Sequence, residues 1–154
     1  MRHGRRVGCR VAVACIGNPL RGDDAAGLLV AERLRSMGLG GCVVECPYGV
    51  ELCAHRLRAL RPRVLVVVDA ALGVEPGEVI VAEPGELVLR GHAASTHALS
   101  PPSLLAYLES IAPRIVLVLL GVRSTELGEE PGPEARRTAE KAAEVIAEML
   151  GNEA

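Results

Sequence analysis

The run Val64-Leu65-Val66-Val67-Val68-Asp69 decides the fold class of this 154-residue chain. Its first five residues are all apolar, so neither face of the strand that they predict is suited to water. Strands of this kind belong in a parallel sheet that helices cover on both sides. Ile115 to Leu120 is apolar throughout as well. Two such strands in one chain indicate an α/β protein.

The segments around these two runs alternate between strand-like and helix-like patterns. Further strands are predicted at Val11 to Ile16, Cys42 to Cys46 and Glu78 to Ala82, and helices at Asp23 to Met37, Val50 to Leu60, Pro102 to Ile111 and Glu134 to Leu150. Apolar residues in the first and last of these helices recur at helical spacing. This order predicts a three-layer α/β/α sandwich around a mostly parallel sheet of about five strands. We expect a single domain over residues 1–154.

Composition excludes several classes of function. The net charge is −2 and the only aromatic residues are Tyr48 and Tyr107, which argues against nucleic-acid binding because stacking platforms are lacking. No apolar stretch approaches the roughly 20 residues of a membrane helix, so no membrane insertion is expected. The arginine-rich start is not followed by a signal-like apolar region, and we therefore expect a cytoplasmic protein.

The chain has an odd number of cysteines, at Cys9, Cys15, Cys42, Cys46 and Cys53. No CxxC pair is present, so the usual spacing of a structural zinc site is missing. Buried thiols are the prediction for a cytoplasmic protein. Two alternatives stay open: a metal site formed by Cys42, Cys46 and Cys53, and a disulfide if the source is hyperthermophilic.

Aspartate is rare in this chain, with three residues against 16 glutamates. Asp23 and Asp24 follow the first predicted strand, and Asp69 ends the third. Ligands of open α/β sheets bind at the carboxyl ends of the strands, where Asp24 and Asp69 are expected to meet. Asp23 is predicted to cap the first helix. Asp24 would also suit the helix dipole without binding anything, and Asp69 would also suit a cap on the loop after its strand.

A histidine is the expected third member of this site. His92 and His97 flank a short polar loop before the predicted helix at Pro102, and we favour His97 because it lies next to that helix entry. Two carboxylates and one imidazole suit a divalent ion such as Ni²⁺, Zn²⁺ or Mn²⁺ and leave coordination positions open. A solvated loop histidine is the alternative.

Other catalytic and binding motifs are absent from the sequence. The loop Gly17 to Asp24 matches neither GxGxxG nor the P-loop pattern, and its two acids would repel a phosphate, which disfavours a nucleotide-binding domain. A GxSxG elbow and an HExxH motif are both missing. Serine hydrolase and thermolysin-type chemistry are therefore not expected.

Three stretches together resemble the hydrogenase maturation endopeptidases. They are Ile16-Gly17-Asn18-Pro19-Leu20-Arg21-Gly22-Asp23-Asp24-Ala25-Ala26-Gly27, Val67-Val68-Asp69-Ala70 and Ser95-Thr96-His97-Ala98-Leu99, and their order and spacing match, as does Gly121-Val122. The sequence departs from the family pattern at Cys15, at Ala25 and in the loop Arg123 to Pro133. These departures bear on which hydrogenase is served rather than on the class of protein.

The resemblance implies a small α/β protease, an aspartyl-type peptidase, that removes a C-terminal extension from the large-subunit precursor of a nickel-iron hydrogenase after nickel insertion. By position, the family's metal-contacting residues fall on Asp24, Asp69 and His97. The implied metal is the substrate's own nickel, used for recognition, and no organic cofactor is implied. The alternative is a non-catalytic metal-sensing or chaperone module that binds the loaded subunit. The oligomeric state stays open, a homo-oligomer included.

Overall fold

A five-stranded sheet forms the centre of the computed structural model, which describes residues 8–89 and 102–152. The strands are β1 (Val11–Gly17), β2 (Val43–Pro47), β3 (Val64–Ala71), β4 (Val79–Ala82) and β5 (Arg114–Gly121). They lie in the order β2-β1-β3-β5-β4. All neighbours pair in parallel except β4, which pairs antiparallel with β5 at the edge. The predicted, mostly parallel sheet is confirmed.

Helices cover both faces of this sheet. They are α1 (Ala26–Ser36), α2 (Ala54–Ala59), α3 (Pro84–Leu89), α4 (Pro102–Glu109) and α5 (Pro133–Asn152). Leu34 of α1 and Ile146 of α5 pack on one face, and Leu57 of α2 and Leu108 of α4 pack on the other. The three-layer α/β/α sandwich is thereby confirmed, while a single domain over residues 1–154 stays a prediction.

The central strands are buried on both faces, as their composition predicts. In β3 every residue from Leu65 to Ala71 is buried, and in β5 every residue from Ile115 to Gly121. Each fully buried valine or leucine contributes about 1.5–3 kcal/mol of transfer free energy, so these two strands supply a large part of the core. In residues 8–89 and 102–152, no helix has the length and apolar character needed to cross a bilayer.

Three local features differ from the sequence-based expectations. β3 continues to Ala71, so Asp69 lies within the strand rather than at its end. The first two predicted helices each begin with a 3-10 turn, at Gly22–Ala25 and Val50–Leu52.

The third difference is helix α3, which lies in a segment where the sequence predicts no helix. The Glu83 N–H donates to Glu86 Oε1 at 3.1 Å, which is one half of a capping box. Pro84 occupies the first turn, where its missing N–H has no helical partner to lose. The spacing of Glu83, Pro84 and Glu86 was the signal for this helix.

The cysteine prediction was wrong for four of the five residues. Cys9 forms a disulfide with Cys42 and Cys46 forms one with Cys53, with Cα–Cα distances of 5.8 and 5.6 Å. Cys9 and Cys42 pair because they precede the neighbouring strands β1 and β2. Cys46 and Cys53 pair because the chain turns back from β2 through the 3-10 turn Val50–Leu52 towards α2. These bonds also remove the alternative metal cluster, and only Cys15 remains a thiol.

Loss of the Cys9–Cys42 crosslink is expected to destabilise the protein more than loss of Cys46–Cys53. The sequence separations are 33 and 7 residues, for which loop-closure entropy gives about 4 and about 2.5 kcal/mol. Urea unfolding of Cys9→Ala/Cys42→Ala and Cys46→Ala/Cys53→Ala, without reductant, measures both losses. Cys15→Ala, at a buried thiol without a crosslink, gives the packing loss to subtract. The opposite order would contradict this expectation.

Candidate functional site

Asp69 lies inside the sheet at the point where β1 stops pairing with β3. The last aligned pair of these strands is Cys15 with Val68, while pairing of β3 with β5 continues through Asp69 and Leu119. The Asp69 side chain is fully buried. Its Oδ1 accepts a hydrogen bond from the Ala70 N–H at 2.9 Å. The two flanking strands therefore fix this carboxylate near the carboxyl edge of the sheet.

Asp24 lies in the 3-10 turn that follows β1, and its backbone closes the loop. The Asn18 N–H donates to the Asp24 carbonyl at 3.1 Å, and the Asp24 N–H donates to the Arg21 carbonyl at 3.0 Å. A Cβ on Gly17 would lie 2.8 Å from the same Asp24 carbonyl, so only glycine fits the closed loop. The Asp24 residue is 2% exposed.

Gly27 brings the start of α1 against the strands that carry the site. A Cβ at this position would lie 2.0 Å from the Ile16 carbonyl oxygen and 3.2 Å from the Val68 carbonyl oxygen. The helix backbone thus rests directly on β1 and β3. This close approach places the Asp24 turn beside the strand segment that contains Asp69, and the turn and β3 are in contact.

The structure therefore brings Asp24 and Asp69 to adjoining elements at one edge of the sheet, as expected. Burial of two carboxylates opposes folding unless other groups compensate their charges. A pair of buried carboxylates at the carboxyl edge of a sheet is therefore a candidate functional site. His97 lies outside the described residues, so its place in the site stays a prediction. Within residues 8–89 and 102–152, no three His, Cys, Asp or Glu side chains are grouped to hold a metal ion.

Asp23 does not cap the first helix, and that prediction was wrong. Its Oδ2 accepts hydrogen bonds from the backbone N–H groups of Arg123 and Ser124 at 3.2 and 3.3 Å. Its Oδ1 accepts from the Gly132 N–H at 2.9 Å. The Asp23 N–H in turn donates to the Ser124 carbonyl at 2.8 Å. Asp23 therefore fastens the loop between β5 and α5 to the turn that carries Asp24.

Cys15 lies two residues before the loop Gly17 to Asp24, yet it is unsuited to nucleophilic chemistry or metal binding. Desolvation by complete burial raises the pKa of its thiol far above the ordinary value, and the charge of Glu45 adds to the shift. A thiolate is the reactive and ligating form of cysteine. Cys15 therefore stays protonated and acts as a small apolar core residue.

Comparison with known proteins shows the family to which this chain belongs. The family model described as hydrogenase maturation protease (HycI) matches residues 50–153, more than half of the chain. The chain belongs to the hydrogenase maturation protease family. The resemblance seen in the sequence motifs is thereby confirmed.

Individual members of the hydrogenase maturation protease family show the same relationship. Residues of this chain are 39% identical to a hydrogenase maturation protease HycI from Thermococcus kodakarensis KOD1, with 93% of each chain covered and a TM-score of 0.75. Identity to the HybD maturation protease of Thermococcus kodakarensis is 26%, over 92% of this chain and 99% of the other, with a TM-score of 0.71.

The Hydrogenase 3 maturation protease of Escherichia coli (strain K12) is 37% identical over 75 residues. These residues cover 47% of this chain and 48% of the relative. The chain therefore spans about half the length of the curated relatives that it matches.

Proposed function

We propose that this protein is an endopeptidase that removes the C-terminal extension of a nickel-iron hydrogenase large-subunit precursor after nickel insertion. The observation that carries the proposal is the pair of buried carboxylates, Asp24 and Asp69, on adjoining elements at the carboxyl edge of the sheet. Family membership supports the same activity. A cytoplasmic location belongs to the proposal; with two disulfides in the chain, it implies a hyperthermophilic source, because intracellular proteins of such organisms carry disulfides.

The substrate's nickel is the recognition element in this proposal. Asp24, Asp69 and His97 would contact the nickel of a loaded precursor through coordination positions that the precursor leaves open. Carboxylate oxygens and an imidazole nitrogen suit a divalent ion of this type. The two aspartates are held by the backbone of rigid elements, so they meet the metal with little reorganisation. A precursor without nickel lacks this contact and stays unprocessed.

Hydrolysis then adds water across the scissile peptide bond. The water oxygen bonds to the carbonyl carbon, the C–N bond breaks, and a proton passes to the leaving amine nitrogen. Either the metal polarises the carbonyl, or one of the two carboxylates takes the proton from water. In this proposal Asp24 or Asp69 would take the second role.

Intact mass spectrometry of the large-subunit precursor tests the proposal directly. Nickel-loaded and nickel-free precursors are incubated with the protein in parallel. We expect a C-terminal peptide to be lost only from the loaded sample, because only that sample presents the metal to Asp24 and Asp69. Stable complex formation without any loss of mass would instead favour the non-catalytic metal-sensing or chaperone module.

A further inference from the structure

The most exposed large apolar side chains of the described residues gather at the edge of the sheet that holds the candidate site. We call them the apolar rim: Leu20, Tyr48, Leu52, Leu72 and Leu127. Their exposure is 53–70%, against 39% for Met37 and 40% for Val81, which are the other exposed residues of this kind in residues 8–89 and 102–152. Apolar side chains grouped in this way mark interaction surfaces.

Backbone hydrogen bonds join the loops of the apolar rim. The Tyr48 N–H donates to the Gly17 carbonyl at 3.1 Å, and the Gly128 N–H donates to the Leu20 carbonyl at 2.7 Å. Leu72 directly follows the last residue of β3, three residues after Asp69. The loops that follow β1, β2, β3 and β5 each contribute to the rim, and these strands are neighbours in the sheet. The rim therefore lies at the same end of the sheet as the candidate site.

Acidic side chains outnumber basic ones at this edge among the residues that the structure describes. The described loops that follow β1, β2, β3 and β5 expose six glutamates and two arginines, namely Glu51, Glu75, Glu78, Glu126, Glu129 and Glu130, and Arg21 and Arg123. A surface that combines apolar anchors with negative charge favours a partner with apolar side chains flanked by lysine or arginine. A second copy of this acidic edge would be repelled.

We propose that the apolar rim binds the C-terminal segment of the hydrogenase large-subunit precursor in an extended form, through apolar side chains flanked by basic residues. The inference rests on the proposed function, because the candidate site at the same end of the sheet is where the scissile bond would lie. Anchors on four separate loops contact side chains at intervals along the bound segment. The rim thus selects the substrate, while Asp24 and Asp69 act at the same end of the sheet.

A pair of double variants tests the apolar rim. Leu52→Ser/Leu127→Ser removes the two most exposed anchors, and Met37→Ser/Val81→Ser removes exposed apolar side chains outside the rim. The probe is the nickel-loaded large-subunit precursor from the source organism. If the wild-type protein shortens the precursor, the KM of processing is measured for each variant. If it does not, the Kd for the precursor is measured by biolayer interferometry. We expect the rim variant to raise KM or Kd about tenfold or more and the control to leave it unchanged.

The same measurements separate failure of the rim from failure of the proposed function. Shortening of the precursor with equal KM for both double variants overturns the rim and leaves the protease intact. Rim-dependent binding without shortening overturns the protease and supports the rim. Absence of both binding and shortening by the wild-type protein overturns both. A dimer of the free protein that only the rim variant abolishes would assign the rim to a second copy and overturn the proposal.

A further double variant tests whether the acidic side chains of this edge attract the precursor. Glu126→Gln/Glu130→Gln keeps both side chains close in size and removes two negative charges. We expect the association rate with the loaded precursor to become slower and less dependent on salt, because attraction between charged surfaces is screened by ions. An unchanged salt dependence would contradict a basic partner segment.

Discussion

Asp69→Asn is expected to abolish processing while the fold survives. Under the proposed function, the rate of precursor shortening falls by about 10³-fold or more, which corresponds to about 4 kcal/mol of transition-state stabilisation. The amide oxygen of asparagine still accepts from the Ala70 N–H, and its volume fits the buried position of Asp69. Because asparagine matches aspartate in volume and keeps this hydrogen bond, we expect the melting temperature to stay close to that of the wild type.

The same experiment includes Asp24→Asn and His97→Ala, with Glu144→Gln as the control. Glu144 is an exposed carboxylate of α5, so its variant loses one charge far from the candidate site. Time courses of precursor mass give the rate, and circular dichroism gives the melting temperature of each variant. Wild-type rates in Asp24→Asn or Asp69→Asn would remove that residue from the site, whereas slow rates accompanied by a low melting temperature would indicate misfolding.

Gly27→Ala is expected to destabilise the protein by about 3 kcal/mol or more, although it adds only one methyl group. The new Cβ would lie 2.0 Å from the Ile16 carbonyl oxygen, so α1 has to move away from β1. For a chain of this size, each kcal/mol lowers Tm by about 2–4 °C, and we expect a decrease of about 10 °C. Processing should weaken as well, because the Asp24 turn moves with the helix.

Gly85→Ala is the matched control for this substitution. Gly85 is exposed in α3, and a Cβ there meets nothing within 4 Å. Alanine is the better helix former by about 1 kcal/mol, so stability should be equal or slightly higher. Thermal unfolding of the two variants separates a steric cause from a general effect of replacing glycine. Equal melting temperatures for Gly27→Ala and the wild type would show that the helix and strand do not constrain each other.

Sequence patterns were sufficient for the architecture because the relevant signals are local. Runs that are apolar at every position, such as Val64 to Val68, can be satisfied only inside a covered sheet. The positions of Asp24 and Asp69 followed from the same reasoning, since parallel strands present their carboxyl ends at one edge. The exact starts of the helices were predicted less well, because the sequence does not distinguish a first α-helical turn from the 3-10 turns at Gly22–Ala25 and Val50–Leu52.

The remaining features depend on contacts between distant parts of the chain. Asp23 is bonded to residues about 100 positions away, and no local pattern distinguishes such a carboxylate from a helix cap. Cys9 and Cys42 become partners only because their strands are neighbours. The apolar rim likewise draws one or two residues from each of four loops, and each of them alone is an unremarkable surface leucine or tyrosine.

The fastening of the β5–α5 loop by Asp23 has an evolutionary consequence. All three hydrogen bonds that its carboxylate accepts come from main-chain N–H groups, which every residue type except proline supplies. Mutation can therefore replace Arg123, Ser124 and Gly132 with any residue except proline while the attachment of the loop to the Asp23 carboxylate is preserved. Under the proposed function, substitutions in this loop could alter its contacts with a substrate while the Asp24 turn keeps its position.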